Sequence, residues 1–281
     1  MPNVSRRTLL VGGLGIAGVA LVSKATLDRV DAPPAGVPDV EPGHLVSGSF
    51  TSPARLGART GWTIAYPPNA PARLRVLVVL HGQGSDHTMA FGNNLGLDRF
   101  LAQLTRDGAH PFAIACVDGG DHSYWHRRSD GSDSGAMVIE EFLPLLGRRG
   151  LDVSRVGLLG VSMGGFGALW LATRLGAGRA AAVVAESPGL WHHAGDTPAG
   201  AFDSAADFAA HTIFGRERQL AGIPLRIDCG DSDSFAPATR DLRAAITPPP
   251  AGGLSPGDHN VRYWRRMAPA QLRFVAAHLG R

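Results

Sequence analysis

The sequence predicts an α/β protein on a mostly parallel sheet with helices on both faces, and three observations carry that prediction. Short strand-like runs alternate with longer helical ones from His44 onward. The later strand-like runs are continuously apolar, as strands buried on both faces must be. A serine among glycines, in "GLLGVSMGGFGALWL" from Gly157 to Leu171, stands where one such run turns into an Ala/Leu-rich one. With 281 residues, 44% of them apolar, the chain can fill a large core.

The N-terminal stretch "SRRTLLVGGLGIAGVALVSKA" joins a twin arginine to a Gly-rich apolar run, Leu9 to Val22, with small residues near Ala25. Residues 1–30 therefore read as an export signal, cleaved or kept as an anchor, and the protein is expected to be exported. The run is shorter than the roughly 20 residues of a spanning helix, so membrane association is expected only through this segment. Within it, Gly13-Leu14-Gly15-Ile16-Ala17-Gly18 matches G-x-G-x-x-G, but no strand precedes it and no dinucleotide is expected. Residues 31–43, "DAPPAGVPDVEPG", are too rich in proline and glycine for regular structure and read as a linker to a domain spanning 44–281.

The formal charge is +3, of which residues 1–31 carry +2, so the remainder has no basic stripe for a phosphate backbone. Nucleic acid is excluded as a partner. The sequence carries no signal for oligomeric state.

The expected strands are "HLVSGSF", "GWTIAY", "RVLVVLHG", "FAIACVDG", "RVGLLGVS", "AAVVAES" and "LRIDCGD", the first two forming an antiparallel hairpin. Helices are expected over 97–106, 135–146, 163–175 and 237–246, with a final amphipathic helix. In such sheets the ligand site lies beyond the carboxyl ends of the strands, where serine, acids and aromatics collect in this chain.

Gly160-Val161-Ser162-Met163-Gly164 is G-x-S-x-G, a turn in which bare neighbours let a strained serine project its hydroxyl. The Met163 amide then faces the helix N-terminus and can stabilise an anionic oxygen, and "LHGQGS" offers the Gln83 amide as a second donor. A serine nucleophile needs an imidazole base, itself held by an acid. Of the later histidines, His259 in "SPGDHNVRYW" follows the last strand-plus-acid unit and precedes the final helix, whereas His278 lies within that helix. Asp228 falls inside the strand "LRIDCG", and spacing leaves Asp231 and Asp233 both open as the acid.

These pieces resemble the esterase branch of the α/β-hydrolases, which includes esterase D (S-formylglutathione hydrolase) and the mycolyltransferases. The resemblance runs from about His44 to the C-terminus and rests on "HGQGS", "GVSMGGFGAL", Gly230-Asp231-Ser232-Asp233 and "GDHNVRYWRRMAPAQLRFV". It implies an α/β-hydrolase fold, Asp233 as the acid, His259 as the base and Trp125 lining the substrate cleft. "TPPPAGGLSPG" departs from the pattern: its prolines predict a short or missing strand before His259.

In the usual hydrolase strand order Cys116 and Cys229 lie on strands separated by three others, about 19 Å apart at about 4.8 Å per strand, so no disulfide is expected. The histidines and aspartates of "GGDHSYWHRRSDGSDSG" fit neither a zinc nor a calcium spacing, and no metal or other cofactor is expected. The expected function is an exported serine esterase acting on small-molecule or lipid esters or thioesters. The alternatives are an acyltransferase with the same machinery and a non-catalytic binding protein on the same scaffold.

Overall fold

The computed structural model describes residues 35–280. The export signal expected over 1–30 lies outside the described residues. Residues 35–43 form neither helix nor strand, yet Val37 and Val40 are buried and Arg99 donates to the Val40 carbonyl at 2.9 Å. The packed body therefore extends back beyond His44.

Strands β1 (Leu45–Ser52) and β2 (Ala58–Ala65) form the antiparallel hairpin. Strands β3 (Arg75–Leu80), β4 (Ala113–Val117), β5 (Asp152–Val161), β6 (Ala180–Glu186), β7 (Leu225–Gly230) and β8 (Ala251–Ser255) are parallel to one another. One eight-stranded sheet results, in the order β1-β2-β4-β3-β5-β6-β7-β8. The pleat divides the strand side chains between two cores. Val76, Val78 and Leu80 face one core and Leu77 and Val79 the other, which is why these strands are apolar without interruption.

Helix α1 (Leu97–Arg106) covers the second core through Leu97, Phe100, Leu101 and Leu104, each contributing about 1.5–3 kcal/mol by burial. Helix α2 begins at Ser134–Ala136, passes through a π-helical stretch, Met137–Phe142, and resumes over Leu143–Arg148. It covers the first core together with α3 (Met163–Arg179), whose helical geometry is interrupted at Gly176. Helix α4 (Ala205–His211) lies in the segment between β6 and β7, and α5 (Ala236–Ala245) follows β7. Helix α6 (Val261–Leu279) packs beside α1 on the second core.

The strand before His259 does form. β8 has five residues at the edge of the sheet, where missing proline donors cost least, and Pro248, Pro249, Pro250 and Pro256 stand just outside it. Arg243 of α5 secures it by donating to the carbonyls of Pro250, Ala251 and Gly252 at 2.9–3.1 Å. Cys116 on β4 and Cys229 on β7 are buried free thiols with β3, β5 and β6 between them, as expected.

A buried polar cluster fastens α6 to the strand ends. Asp228 accepts from Arg226 Nε at 2.7 Å and Nη2 at 3.0 Å, and the Gln271 amide donates to Asp228 Oδ2 at 3.0 Å and to Glu186 Oε2. Glu186 is 1% exposed and its Oε1 has no partner. Burial, reinforced by Asp228, raises its carboxyl well above the ordinary 4.5.

The native state thus keeps a proton on Glu186 that the unfolded chain releases. This contribution to stability is full below about 4.5 and is lost as pH rises through the folded-state value. Glu186→Gln removes the dependence, so melting curves at about pH 5 and about pH 8 should show the variant gaining on the wild type at the higher pH. A constant difference between the two would contradict a protonated Glu186.

Candidate active site

Ser162 ends β5 and begins the turn into α3 with φ 57° and ψ −116°, a left-handed backbone rare outside glycine. Its amide donates to the Glu186 carbonyl at 2.9 Å, and its carbonyl accepts from Phe166 at 3.1 Å and Gly189 at 2.9 Å. The flanking glycines are steric necessities. A Cβ on Gly160 would lie 1.8 Å from the Gly164 carbonyl oxygen, and one on Gly164 would lie 1.9 Å from that of Leu80.

Ser162, Asp233 and His259 come from three separate strand ends and meet. His259 Nε2 lies 2.9 Å from Ser162 Oγ, and His259 Nδ1 lies 2.8 Å from Asp233 Oδ2. Asp233 is buried, which works against its charge. Hydrogen bonds from His259 and from the Phe235 amide outweigh that, and with help from the Ser187 hydroxyl they hold its pKa below the ordinary carboxylate value. An ionised Asp233 can only accept, so Nδ1 carries the proton and Nε2 is free to take one from Ser162.

Of the two loop aspartates, only Asp233 contacts the imidazole. Asp231 is exposed and accepts from the Gly257 amide at 3.2 Å, shaping the turn before His259 without touching the imidazole. His278 is half-buried within α6, bonded to the Phe274 carbonyl.

Met163 is the first residue of α3, so its amide is one of the four donors without an intrahelical acceptor. The Gly84 and Ser85 amides are bonded to the Asp121 and Gly82 carbonyls, whereas that of Gln83 has no partner among the described residues. The Gln83 loop is braced by His81, which donates from Nδ1 to the Gly82 carbonyl and accepts the Gly119 amide on Nε2, each at 2.8 Å. Burial lowers the His81 pKa and keeps it in the neutral form that this bonding requires.

Trp125 requires a correction. It does not line the cleft: its side chain is 0% exposed and edge-on to His81, with ring centroids 5.1 Å apart. Left-handed backbone at Tyr124 and Trp125 turns the indole inward, onto the bare faces of Gly119 and Gly167. Tyr124 instead reaches the site, donating to Gln83 Oε1 at 3.2 Å.

Sequence pattern alone gives His81, Ser187 and Trp264 no role, and reaches Tyr124 only as a neighbour of Trp125. Trp264 packs edge-on to His259 and donates its indole N–H to Ser187 Oγ at 3.1 Å. The available signal for His81 and Ser187 is position, since each directly follows a strand.

Ser162 and His259 open into a cleft of about 610 Å³ whose apolar walls include Met89, Leu95, Val261 and Trp264. Among the described residues, two side-chain clusters have metal-ligand atoms within 4.8 Å of one another. In the first, of His126, Asp207 and His211, the imidazoles are stacked 4.3 Å apart at 28°, so their in-plane lone pairs run alongside each other rather than converging. In the second, of Asp86, His87 and Asp118, Asp118 already accepts from His87 and from the Gly61 amide.

An eight-stranded α/β sheet carrying this serine, imidazole and carboxylate defines a hydrolase. The chain belongs to the family described as "Putative esterase", whose model matches residues 54–274. No curated protein matches it in sequence. Among solved structures, a ferulic acid esterase is 20% identical with TM-score 0.70, covering 83% of this chain and 98% of its own. An S-formylglutathione hydrolase from Agrobacterium tumefaciens is 20% identical with TM-score 0.69, covering 89% and 100%. A fluorophosphonate-binding serine hydrolase from Staphylococcus aureus is 21% identical with TM-score 0.66, covering 84% and 99%. These likenesses establish the α/β-hydrolase fold.

Gly164→Ala should cost about 3 kcal/mol or more, a fall in Tm of about 6–12 °C for a chain of this length. Gly178→Ala, where a Cβ meets nothing within 4 Å, should leave Tm nearly unchanged or slightly raised. Thermal melts of the two variants check the steric reading of the turn.

Proposed function

We propose that the chain is an exported serine esterase. The observation that carries this reading is the hydrogen-bonded line from Asp233 through His259 to Ser162, at 2.8 and 2.9 Å. Ser162 Oγ attacks the acyl carbonyl while His259 Nε2 takes the hydroxyl proton, and the Gln83 and Met163 amides receive the oxyanion. The tetrahedral intermediate collapses as His259 returns that proton to the departing alcohol or thiol. Water, deprotonated by the same nitrogen, then releases the acid and regenerates Ser162.

Transfer to a sugar or lipid alcohol would use identical steps with the alcohol in place of water. The cleft mouth is exposed at Gln83 and Asn93, which gives bulk water direct access and favours hydrolysis. Export rests on the twin arginine and apolar run of residues 1–30. A carboxylic-ester or thioester substrate of small size suits the modest insertion between β6 and β7, where α4 is the only α-helix among the described residues.

A fluorophosphonate probe should label the wild type and fail to label Ser162→Ala; label persisting in the variant would remove Ser162 from the chemistry. Asp233→Asn should lower kcat about 10³- to 10⁴-fold by losing the required imidazole tautomer. Asp231→Asn should change kcat by less than about threefold, since it only shapes an exposed turn. Equal losses in p-nitrophenyl acetate turnover would contradict the assignment.

A further inference from the structure

Arg265 stands out once the charges around the cleft are compared. Among the described residues, the cleft that holds Ser162 and His259 is lined by no acidic side chain, and Arg265 is its one side chain with a fixed charge. The guanidinium is half-buried at the wall, on the second turn of α6. Nε donates to the Asn94 carbonyl at 2.8 Å and Nη2 to the Asn93 carbonyl at 2.7 Å, whereas Nη1 has no hydrogen bond among the described residues. Backbone carbonyls solvate the group without neutralising it. Burial lowers its pKa and no carboxylate acts to restore it, the pattern of a charge without a counter-ion.

The helix it stands on adds positive charge, offset in part by Asp258 just before His259 and by the ionised Asp233 behind the imidazole. The first turn of α6 contains no acid, and Arg262 and Arg266 flank Arg265 near the helix end where the macrodipole disfavours cations. Arg266 is turned away, donating to the Pro256 carbonyl and lying over the Tyr263 ring at 5.0 Å. Arg265 alone of the three lines the cleft. Pockets of this kind bind through apolar walls and orient their ligand by a few placed polar groups, and arginine is the side chain suited to carboxylates.

We infer that Arg265 selects esters or thioesters that carry a carboxylate at the end remote from the reacting carbonyl. A single positive charge with two of its nitrogens already engaged matches one monoanionic group. The apolar walls hold the intervening chain, and the carboxylate completes the bonding that the Asn93 and Asn94 carbonyls leave open at Nη1. This rests on the esterase reading above and names the substrate class of that site.

Two substrate pairs test it and show which half of the ester bears the charge. Mono-p-nitrophenyl adipate against p-nitrophenyl hexanoate places the carboxylate on the acyl side, and p-acetoxybenzoate against its methyl ester places it on the leaving side. In one pair the wild type should prefer the anionic member by about tenfold in kcat/KM, chiefly through KM, as expected for a hydrogen bond to a charged group. Arg265→Gln should bring that ratio close to one and Arg265→Lys should restore part of it. Added salt should shrink the wild-type ratio.

Absence of preference in both pairs would overturn the inference. So would an Arg265→Gln variant that loses activity equally on anionic and neutral esters, which is the signature of a loop anchor. If neutral esters are cleaved in a Ser162-dependent way without preference, only this inference falls; if no ester is cleaved, the esterase reading falls with it.

Discussion

The site depends on one constraint, the left-handed backbone at Ser162. A β-strand must become an α-helix within a single residue, and φ 57° with ψ −116° is the geometry that accomplishes it. That turn sets the serine hydroxyl above the sheet and leaves the Met163 amide without a helical acceptor. The strain is of order 1–3 kcal/mol and persists only where surrounding structure holds it. Here the holding is done by β5, hydrogen-bonded on both sides, by the Glu186 and Gly189 contacts of Ser162, and by two glycines that allow backbone approaches no side chain would permit.

Beyond that turn, the site illustrates how one interior drives two carboxylates in opposite directions. Asp233 and Glu186 are both buried, so desolvation favours the protonated form of each. Asp233 receives the His259 imidazole and the Phe235 amide, and these donors to its charged form win. Glu186 keeps one oxygen unpartnered and faces Asp228, so desolvation wins. An acid that orients an imidazole has to be charged, whereas one buried with an oxygen unpartnered is better neutral. Donors to the charged form at Asp233, against deeper burial and a facing carboxylate at Glu186, separate the two roles.

Much of this was legible in the sequence because it follows from short-range rules. Alternating strand and helix patterns placed seven strands, and α1 spans the expected 97–106. Ser162 was legible from its glycines and His259 from its place before the last helix. What pattern alone left open was contact across the fold: Asp231 and Asp233 are equivalent in sequence, and only the turn held by the Gly257 amide sends one away from the imidazole. Trp125 misled because an aromatic in a loop past a strand reads as a cleft residue, while the positive φ that turns it inward leaves no mark on a non-glycine side chain. β8 was underestimated because the guanidinium that secures it comes from α5.

Helix α6 ties these parts into one mechanical unit. His259 immediately precedes the N-cap Asn260, whose side chain accepts from the Arg262 and Tyr263 amides, so the imidazole is carried on the helix end rather than on a free loop. Trp264 and Arg265 follow on the next turn, and Gln271 anchors the helix to Glu186 and Asp228. An apolar anchor would resist separation of α6 from the sheet but would tolerate sliding along it, because hydrophobic contact is non-directional. Two directed bonds from one amide fix the axial position instead. The tolerance is small: a slip of a single helical turn is about 5.4 Å, nearly twice the 2.9 Å between His259 Nε2 and Ser162 Oγ. A buried polar anchor on this helix therefore acts together with the Asn260 cap and the Trp264–Ser187 bond to keep the imidazole within reach of a serine held on a different strand.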